Sequence, residues 1–208
     1  MGIDMVVLLI DCNALQELLS MTTTELIGKL ESSVLARPIA DPEMERQFDI
    51  DAGAEILDFL ESGELESPEG MLLLARWSAI GEWEAWEGRT FIYIETLLGR
   101  EVEHVDELYE SEIWLELIEN ISTFTEKEYS NAVVMDWMER REKLGESLDE
   151  KSDPHILPTM EAHQRNAEGL FHVLQMAKKE GVSLLLGREH MPASKWMLDG
   201  KTLKDVVN

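Results

Sequence analysis

The first regular pattern in the chain is a continuous apolar run, Met5–Ile10, that ends at Asp11. A short apolar run with β-branched members is typical of a strand that is covered on both faces. Asp11 or Asn13 can cap a following helix, because either side chain can accept a hydrogen bond from a backbone N–H of the first turn. The apolar positions of that helix have helical spacing: Leu15, Leu18 and Leu19.

Three further helices are predicted in the first half of the chain. Thr22 and Glu25 have the spacing of a capping box, and the helix that they open must end before Pro38. A second helix fits residues 51–62, where apolar residues recur every three to four positions. A third begins at Pro68, because proline is favoured in the first turn of a helix.

The middle of the chain predicts a loop, a strand and then more helix. Residues 78–89 mix glycine, tryptophan and glutamate, and we interpret them as a connecting loop. Thr90–Ile94 is predicted to be the second strand, because aromatic and β-branched residues favour strands. Helices are expected around residues 104–121, with Ser111 able to cap the second of them.

The second half of the chain contains two long predicted helices. Thr125 and Glu128 have capping-box spacing and open the first. The polar residues 143–158 predict a flexible connection, after which a helix begins at Pro158 and ends at Gly181. The apolar positions of this last helix form one stripe: Ala167, Leu170, Phe171, Leu174 and Ala177.

Residues 182–186 are predicted to be a third strand, which completes the evidence for fold class. The pattern predicts an α+β fold, a mostly helical single domain around a small mixed β-sheet. We expect the domain to span residues 1–190. Residues 191–208 are expected to form a C-terminal extension that packs on the body through Trp196 and Leu198.

Charge changes this picture, because it is concentrated in one segment. The 208 residues carry a formal net charge of −25. Residues 41–119 contain 23 acidic and 4 basic residues, whereas the segments on either side are close to balanced. This excess argues against nucleic acid and anionic membranes as direct ligands, because both require clustered Lys and Arg. A cationic protein partner is the kind of ligand that it favours.

The N-terminal residues and the cysteine content predict a cytoplasmic protein. The run Met5–Ile10 is too short for a signal peptide or a membrane span, and no basic region precedes it. Cys12 is the only cysteine, so the chain cannot form an internal disulfide. Both features are typical of a protein in a reducing compartment.

The sequence contains no complete catalytic or metal-binding motif, and we expect no catalytic residue, no metal and no cofactor. Asp49 and Asp51 are spaced like a pair of cation ligands, but the residues that follow do not fit a calcium loop. The alternative hypothesis is a metal-dependent enzyme or a regulatory subunit, in which this pair acts with a histidine of the last helix, His163 or His172.

The best candidate for a binding surface is the acidic stretch that contains Trp83 and Trp86. Exposed indoles within an anionic rim would have the composition of an interaction hot spot. In the other interpretation both indoles lie in the core beneath a loop. The predicted partner-binding residues are Glu82, Trp83, Glu84, Trp86 and Glu87, with Asp106, Glu107 and Glu110 as charges that steer the partner.

Three stretches of the chain carry a family resemblance. They are the opening strand and helix through Leu19, the segment Phe48-Asp49-Ile50-Asp51 up to Gly63, and the last helix and strand with Leu170-Phe171, Ala177 and Gly181. Together they resemble the YfbM-like family of small bacterial proteins of unknown function. Ala54 and Asp58 stand where that family has tryptophan and histidine, so the resemblance implies the fold and no catalytic residue.

The leading functional hypothesis is an acidic, non-enzymatic binding protein. In size and acidity the YfbM-like family resembles the immunity proteins that are encoded beside bacterial toxins. The resemblance therefore implies an immunity protein that neutralises a cognate toxin or effector by occluding a basic surface. A structural or regulatory subunit with an obligate partner is the third hypothesis, since six tryptophans and eleven methionines supply apolar material for an interface.

Overall fold

The computed structural model describes residues 5–36, 62, 67–85, 90–188 and 191–207. Their strands are β1 (Met5–Ile10), β2 (Ala79–Ala85), β3 (Ser183–Arg188), β4 (Met197–Leu198) and β5 (Lys201–Thr202). Their α-helices are α1 (Cys12–Ser20), α2 (Thr23–Ala36), α3 (Pro68–Trp77), α4 (Thr90–Leu98), α5 (Ser111–Asn120), α6 (Glu126–Lys143), α7 (Ile156–Glu180) and α8 (Leu203–Val206). Short 3-10 helices lie at Val105–Tyr109, Ile121–Thr123 and Ala193–Lys195.

The strands form one sheet in the order β2-β1-β3-β4-β5, and each described pair is antiparallel. The predicted α+β class is confirmed, with an antiparallel sheet where the prediction had a mixed one. The strand β1 lies between β2 and β3, and all six of its residues are buried. Alternate side chains of a strand point to opposite faces, so each face of β1 must be covered.

Two hydrophobic cores cover the two faces of the sheet. The first core, on the side of Met5, Val7 and Leu9, contains side chains from α4, α5, α6 and α7. The second core, on the side of Val6 and Leu8, contains side chains from α1, α2, α3 and α8. The molecule is therefore a three-layer arrangement, which explains why β1 is a continuous apolar run rather than an alternating one.

Four helix boundaries lie where local signals predict them, whereas α5 begins after Glu110 without a cap from Ser111, and α7 begins at Ile156 rather than at Pro158. Asp11 accepts hydrogen bonds from the backbone N–H groups of Asn13 and Ala14 and begins α1. Thr22 and Thr125 open α2 and α6, and each forms a capping box with the glutamate three residues later. Gly181, with a φ of 63°, ends α7 in the left-handed conformation that glycine adopts without strain.

The loop predicted over residues 78–89 is wrong for Ala79–Ala85, which form strand β2, and residues 86–89 lie outside the described residues. Trp83 and Ala85 face the first core, while Glu82 and Glu84 are exposed. This alternation with a period of two is the pattern of a strand with one solvated face. Glu82, Trp83 and Glu84 are therefore part of a strand and not of a turn.

The predicted strand at residues 90–94 is also wrong, because this segment opens helix α4. Ile92, Tyr93 and Ile94 are buried, and Leu97 continues the same core contact one turn later. Burial on the sheet and against α6 outweighs the strand preference of β-branched residues, which is a weak influence on its own. The predicted helix over residues 51–62 lies outside the described residues, apart from Ser62.

The residues that follow β3 pack back onto the sheet. Trp196 is 1% exposed in the second core, where its indole lies on Gly187 of β3. Asp199 and Gly200 both have positive φ, 47° and 79°, and join β4 to β5 in a two-residue hairpin. The hairpin extends the sheet beyond β3 by only two residues per strand.

In the part of the chain that the structure describes, no helix combines the length and the apolar character that crossing a membrane requires.

Candidate functional site

Trp83 lies in the first core. Its side chain is 4% exposed, and its Nε1 donates a hydrogen bond of 2.9 Å to the carbonyl oxygen of Asn166. The ring meets Tyr93 edge to face at 5.7 Å. The expectation of an exposed indole at this position is corrected, because the alternation along β2 turns Trp83 inward beneath α7.

Glu82 and Glu84 lie on the other face of β2 and are exposed. Their neighbours in register on β1 are Leu8 and Val6, which belong to the second core. Trp86 and Glu87, the other two predicted residues of this group, lie outside the described residues. Of the five predicted residues in this stretch, Glu82 and Glu84 are therefore the two that the structure describes as exposed.

The predicted steering residues lie on and beside the 3-10 helix Val105–Tyr109. Asp106 and Glu110 are exposed, while Glu107 is half-buried. Glu107 has a local structural role, because its carboxylate accepts a hydrogen bond of 2.8 Å from the backbone N–H of His104. Its second neighbour is Arg100, at 4.0 Å.

The two groups of predicted residues do not share one face of the molecule. Leu108, in the middle of the 3-10 helix, is buried in the first core, so Asp106 and Glu110 belong to the helical layer on that side. Glu82 and Glu84 point to the opposite side of the sheet. The predicted acidic residues that the structure describes are therefore divided between two surfaces.

One described stretch on the side of the first core is strongly acidic. Residues 101–119 contain eight Asp or Glu and no Lys or Arg. Six of the eight are exposed: Glu101, Glu103, Asp106, Glu110, Glu112 and Glu119. We call the six together with the half-buried Glu107 and Glu116 the acidic surface. Arg100, just outside the segment, contacts Glu116 at 3.4 Å.

A cavity lies beside the acidic surface, between α5 and the edge of the sheet. It has a volume of about 280 Å³. Its apolar lining consists of Trp114, Leu115, Ile118, Val182, Leu184 and Leu186. Ser111, Asp199 and Gly200 complete the wall. We call it the α5 cavity.

Leu115 is a large apolar residue that is exposed at the α5 cavity. It is 62% exposed although it lines the α5 cavity, whereas Trp114 and Leu117 beside it are fully buried. The sequence interpretation missed Leu115 and also missed Glu112 and Glu119. A signal was available, because Leu115 falls outside the buried stripe of α5 and lies three and four positions from those two glutamates.

Tyr109 closes the 3-10 helix and lies between charges of both signs. Burial raises the pKa of its hydroxyl, Arg188 acts in the opposite direction, and Asp106 raises it further. The hydroxyl oxygen is buried and has no hydrogen-bond partner among the described residues. The phenol is therefore held neutral and contributes no charge to this surface at neutral pH.

A second, polar groove of about 450 Å³ lies between α4 and α6. Glu95, which is 9% exposed, binds Arg140 at 2.6 Å and accepts a hydrogen bond of 2.7 Å from the N–H of Val102. The charged lining is nearly balanced: Glu95, Glu101, Asp136 and Glu139 against Arg100, Arg140 and Lys143. Through Arg140 and the N–H of Val102, Glu95 connects the turn after α4 to α6.

The histidines of α7 point in different directions. His163 is 1% exposed, and its Nδ1 lies 2.9 Å from the hydroxyl of Tyr93. His172 is exposed on the other side of the helix, 3.5 Å from Glu126. In the described part of the chain no three His, Cys, Asp or Glu side chains are placed to hold a metal ion. Asp49 and Asp51 lie outside that part.

Cys12 is part of a hydrogen-bonded connection between secondary structure elements. Its Sγ lies 2.7 Å from the hydroxyl of Ser183, which in turn donates to the carboxylate of Asp199. Asp199 also accepts from the N–H of Leu184 at 3.0 Å. This set of contacts ties α1, β3 and the β4–β5 hairpin together.

Comparisons of the chain with protein-family models, with curated proteins and with solved structures found no match. The resemblance to the YfbM-like family stays a prediction. The geometry of the acidic surface and of the α5 cavity therefore carries the functional argument.

Proposed function

We propose that this chain is a non-enzymatic binding protein whose acidic surface captures a cationic segment of a partner protein and thereby neutralises the partner. The observation that carries the proposal is the run of eight carboxylates without Lys or Arg over residues 101–119, most of them exposed. By the resemblance described above, the partner is a bacterial toxin or effector, and the chain is an immunity protein that acts in the cytoplasm.

The physical basis is electrostatic complementarity. A surface with charge of one sign attracts an opposite surface from a distance and can raise association rates by roughly 10- to 1,000-fold. Asp106 and Glu110 are exposed, and Arg100 beside them contacts Glu116 at 3.4 Å and Glu107 at 4.0 Å. Arg188 lies near Tyr109 and Lys143 lies near Glu101. Together with Arg100, these cations neutralise only part of the eight negative charges, so a net negative potential remains for a partner.

The proposal also accounts for an immunity role without chemistry. Occluding a basic cleft needs a fixed, complementary surface and no catalytic group. The 3-10 helix and α5 supply such a surface, because buried side chains anchor both of them in the first core: Leu108, Ile113, Trp114 and Leu117.

The experiment begins with capture of the partner. The tagged chain is incubated with lysate of its source cells at about 50 mM salt, proteins released at about 500 mM salt are identified, and the captured protein is purified. Its association rate with the chain is then measured by stopped-flow fluorescence across this salt range. Because a Debye length shrinks from about 10 Å at 0.1 M to about 3 Å at 1 M, a steered association slows markedly as salt rises.

Two variants with equal loss of charge localise the effect. The first is D106N/E110Q/E112Q/E119Q on the acidic surface. The second is E69Q/E142Q/E150Q/E161Q, which changes exposed residues outside the acidic surface and outside the predicted partner-binding residues. We expect the first to lower the association rate at least about tenfold and the second by less than about twofold. Equal effects of the two variants, or a rate that does not depend on salt, would contradict the proposal.

A functional assay completes the test. The partner's own activity is measured with increasing amounts of the chain, and growth of cells that express the partner is measured with and without coexpression of the chain. Inhibition at about equimolar ratio and rescue of growth are expected. A captured protein that keeps its full activity in the complex would refute neutralisation.

A further inference from the structure

The α5 cavity is an apolar space inside an acidic surround. Six apolar side chains line it, and the exposed Leu115 stands at its mouth. We infer that this cavity is the socket for one apolar side chain of the captured segment, so that the ligand is a cationic segment with a single apolar anchor. The inference rests on the function proposed above and adds the chemistry of the ligand.

The size of the cavity limits what can occupy it. Pockets for drug-sized ligands measure roughly 300–1,000 Å³ and enclose most of the ligand. At about 280 Å³ the α5 cavity falls just below this range and is open on one side. It fits one leucine, methionine or phenylalanine side chain that enters from solvent, with the backbone of the ligand outside.

Helix geometry puts negative charge along one side of the mouth. Successive residues of an α-helix are rotated by about 100°, so Ser111, Leu115 and Ile118 form one stripe on the cavity side of α5. Glu112 and Glu119 lie about 40–60° further round, next to Leu115. Both glutamates are exposed. A ligand side chain in the cavity therefore has carboxylates beside it.

The opposite side of the mouth also carries a carboxylate. Asp199 lines the wall, and contacts with Ser183 and with the N–H of Leu184 fix its side chain. Lys201 follows two residues later and is exposed. The carboxylates of Glu112, Glu119 and Asp199 favour basic residues before and after the anchor of the ligand.

The same charges disfavour a second copy of the chain as the occupant. Two copies would each bring a net charge of −25 into contact. Like charges that face each other at an interface oppose association. A cationic segment removes this repulsion and fills the apolar space at the same time.

The test uses the full chain and two synthetic 12-residue peptides. Both peptides carry lysines throughout, and they differ at one central position, which is leucine in one and serine in the other. Binding is measured at about 50 mM salt by fluorescence anisotropy. The δ1 methyl resonance of Ile118, assigned with Ile118→Val, reports on the cavity by NMR, and that of the exposed Ile80 on β2 serves as a reference.

We expect the leucine peptide to bind at least about fivefold more tightly than the serine peptide. The leucine peptide should shift the methyl signal of Ile118 and leave that of Ile80 unchanged. Leu115→Ala should weaken the leucine peptide at least about fivefold and leave the serine peptide unchanged, because the cavity loses one wall. Met135→Ala is the matched control, since Met135 is 63% exposed on α6, away from the cavity. It should change the affinity by less than about twofold.

Three other results would contradict the inference, and they can be told apart. Equal binding of the two peptides, weakened by E112Q/E119Q, would overturn the anchor while the proposed function stands. Binding of neither peptide at about 1 mM would overturn the inference, and the capture experiment then decides on the proposed function separately. Dimerisation of the chain that Leu115→Ala abolishes would assign the cavity to a second copy and also overturn it.

Discussion

The indole ring of Trp196 lies directly on the backbone of Gly187. A Cβ atom built on Gly187 would be 2.1 Å from Cδ2 of Trp196, far inside van der Waals contact. Arg76 covers the indole at 5.1 Å from the ring centroid, and the indole N–H donates to the carbonyl of Met191. These contacts hold the indole ring on several sides, so it cannot move away from residue 187.

Gly187→Ala should therefore destabilise the protein strongly. Overpacking of a filled core costs about 1–3 kcal/mol, and here the clash is with a rigid ring. The free energy of unfolding is measured by urea denaturation. Gly28→Ala is the matched control, because no atom of the described residues lies within 4 Å of a Cβ at that position in α2. It should stabilise the helix by about 0.5–1 kcal/mol. Equal stability of the two variants would contradict the packing described.

The tyrosines Tyr129 and Tyr109 should respond oppositely to loss of their hydroxyl groups. Tyr129→Phe removes a buried hydrogen bond of 2.9 Å to the carbonyl of Tyr93 and should cost about 1–3 kcal/mol. The buried hydroxyl of Tyr109 has no hydrogen-bond partner among the described residues. Tyr109→Phe should therefore be neutral or slightly stabilising. Thermal and urea unfolding compare the two, and a larger loss at Tyr109 would refute this assignment.

The pair of Glu95 and Arg140 should show strong energetic coupling. A double-mutant cycle with Glu95→Ala and Arg140→Ala should give a coupling energy of about 1–3 kcal/mol, because Glu95 is nearly buried and its contact with Arg140 measures 2.6 Å. The exposed pair of Glu139 and Lys143 on the same helix is the control and should show a smaller coupling. Equal coupling in the two cycles would contradict a structural role for the Glu95 pair.

The capping box at the start of α6 should make stability depend on pH in the acid range. A hydrogen bond from the backbone N–H of Thr125, and a second from its hydroxyl, lower the pKa of Glu128 below its ordinary value of 4.5. A lowered folded-state pKa means that the ionised carboxylate stabilises the folded state. Its contribution is complete above about pH 4.5 and is lost as the pH falls through the lowered folded-state pKa.

The comparison of wild type with Glu128→Gln tests this dependence. We expect the variant to be less stable at pH 6–7, with the difference shrinking below about pH 4.5. Denaturant unfolding at a series of pH values measures the difference. Glu142→Gln, at an exposed position near the end of the same helix, is the control for loss of one carboxylate outside the capping box. A constant difference for Glu128→Gln from pH 7 to pH 3 would argue against the box.

Local signals predicted much of the fold, because caps and continuous apolar runs act over a few residues. Asp11, Thr22, Thr125 and Gly181 begin or end the helices at which the sequence places them. The run Met5–Ile10 predicted a strand with both faces covered, and two separate cores cover it. In each case the deciding contact lies within the segment itself or follows from its composition.

Tertiary contacts decided the positions at which prediction failed. Residues 90–94 have strand-forming side chains but form a helix, because their apolar surface is buried against α6 and α7. The direction of Trp83 follows from its pairing with Val7 on β1, which a local pattern does not contain. The α5 cavity joins Leu115 to Leu184 and Asp199, which are 69 and 84 positions away.

The central position of β1 has a consequence for synthesis on the ribosome. Ile10 pairs with Ser183, which is 173 positions later in the chain. At a translation rate of about 5–20 residues per second, β3 is synthesised roughly 10–35 s after β1. During this interval one backbone edge of an entirely apolar strand has no neighbour from β3. Several nascent chains on one messenger RNA then expose the same unpaired edge of β1. The formal net charge of −25 opposes association of such chains while β3 is still being made.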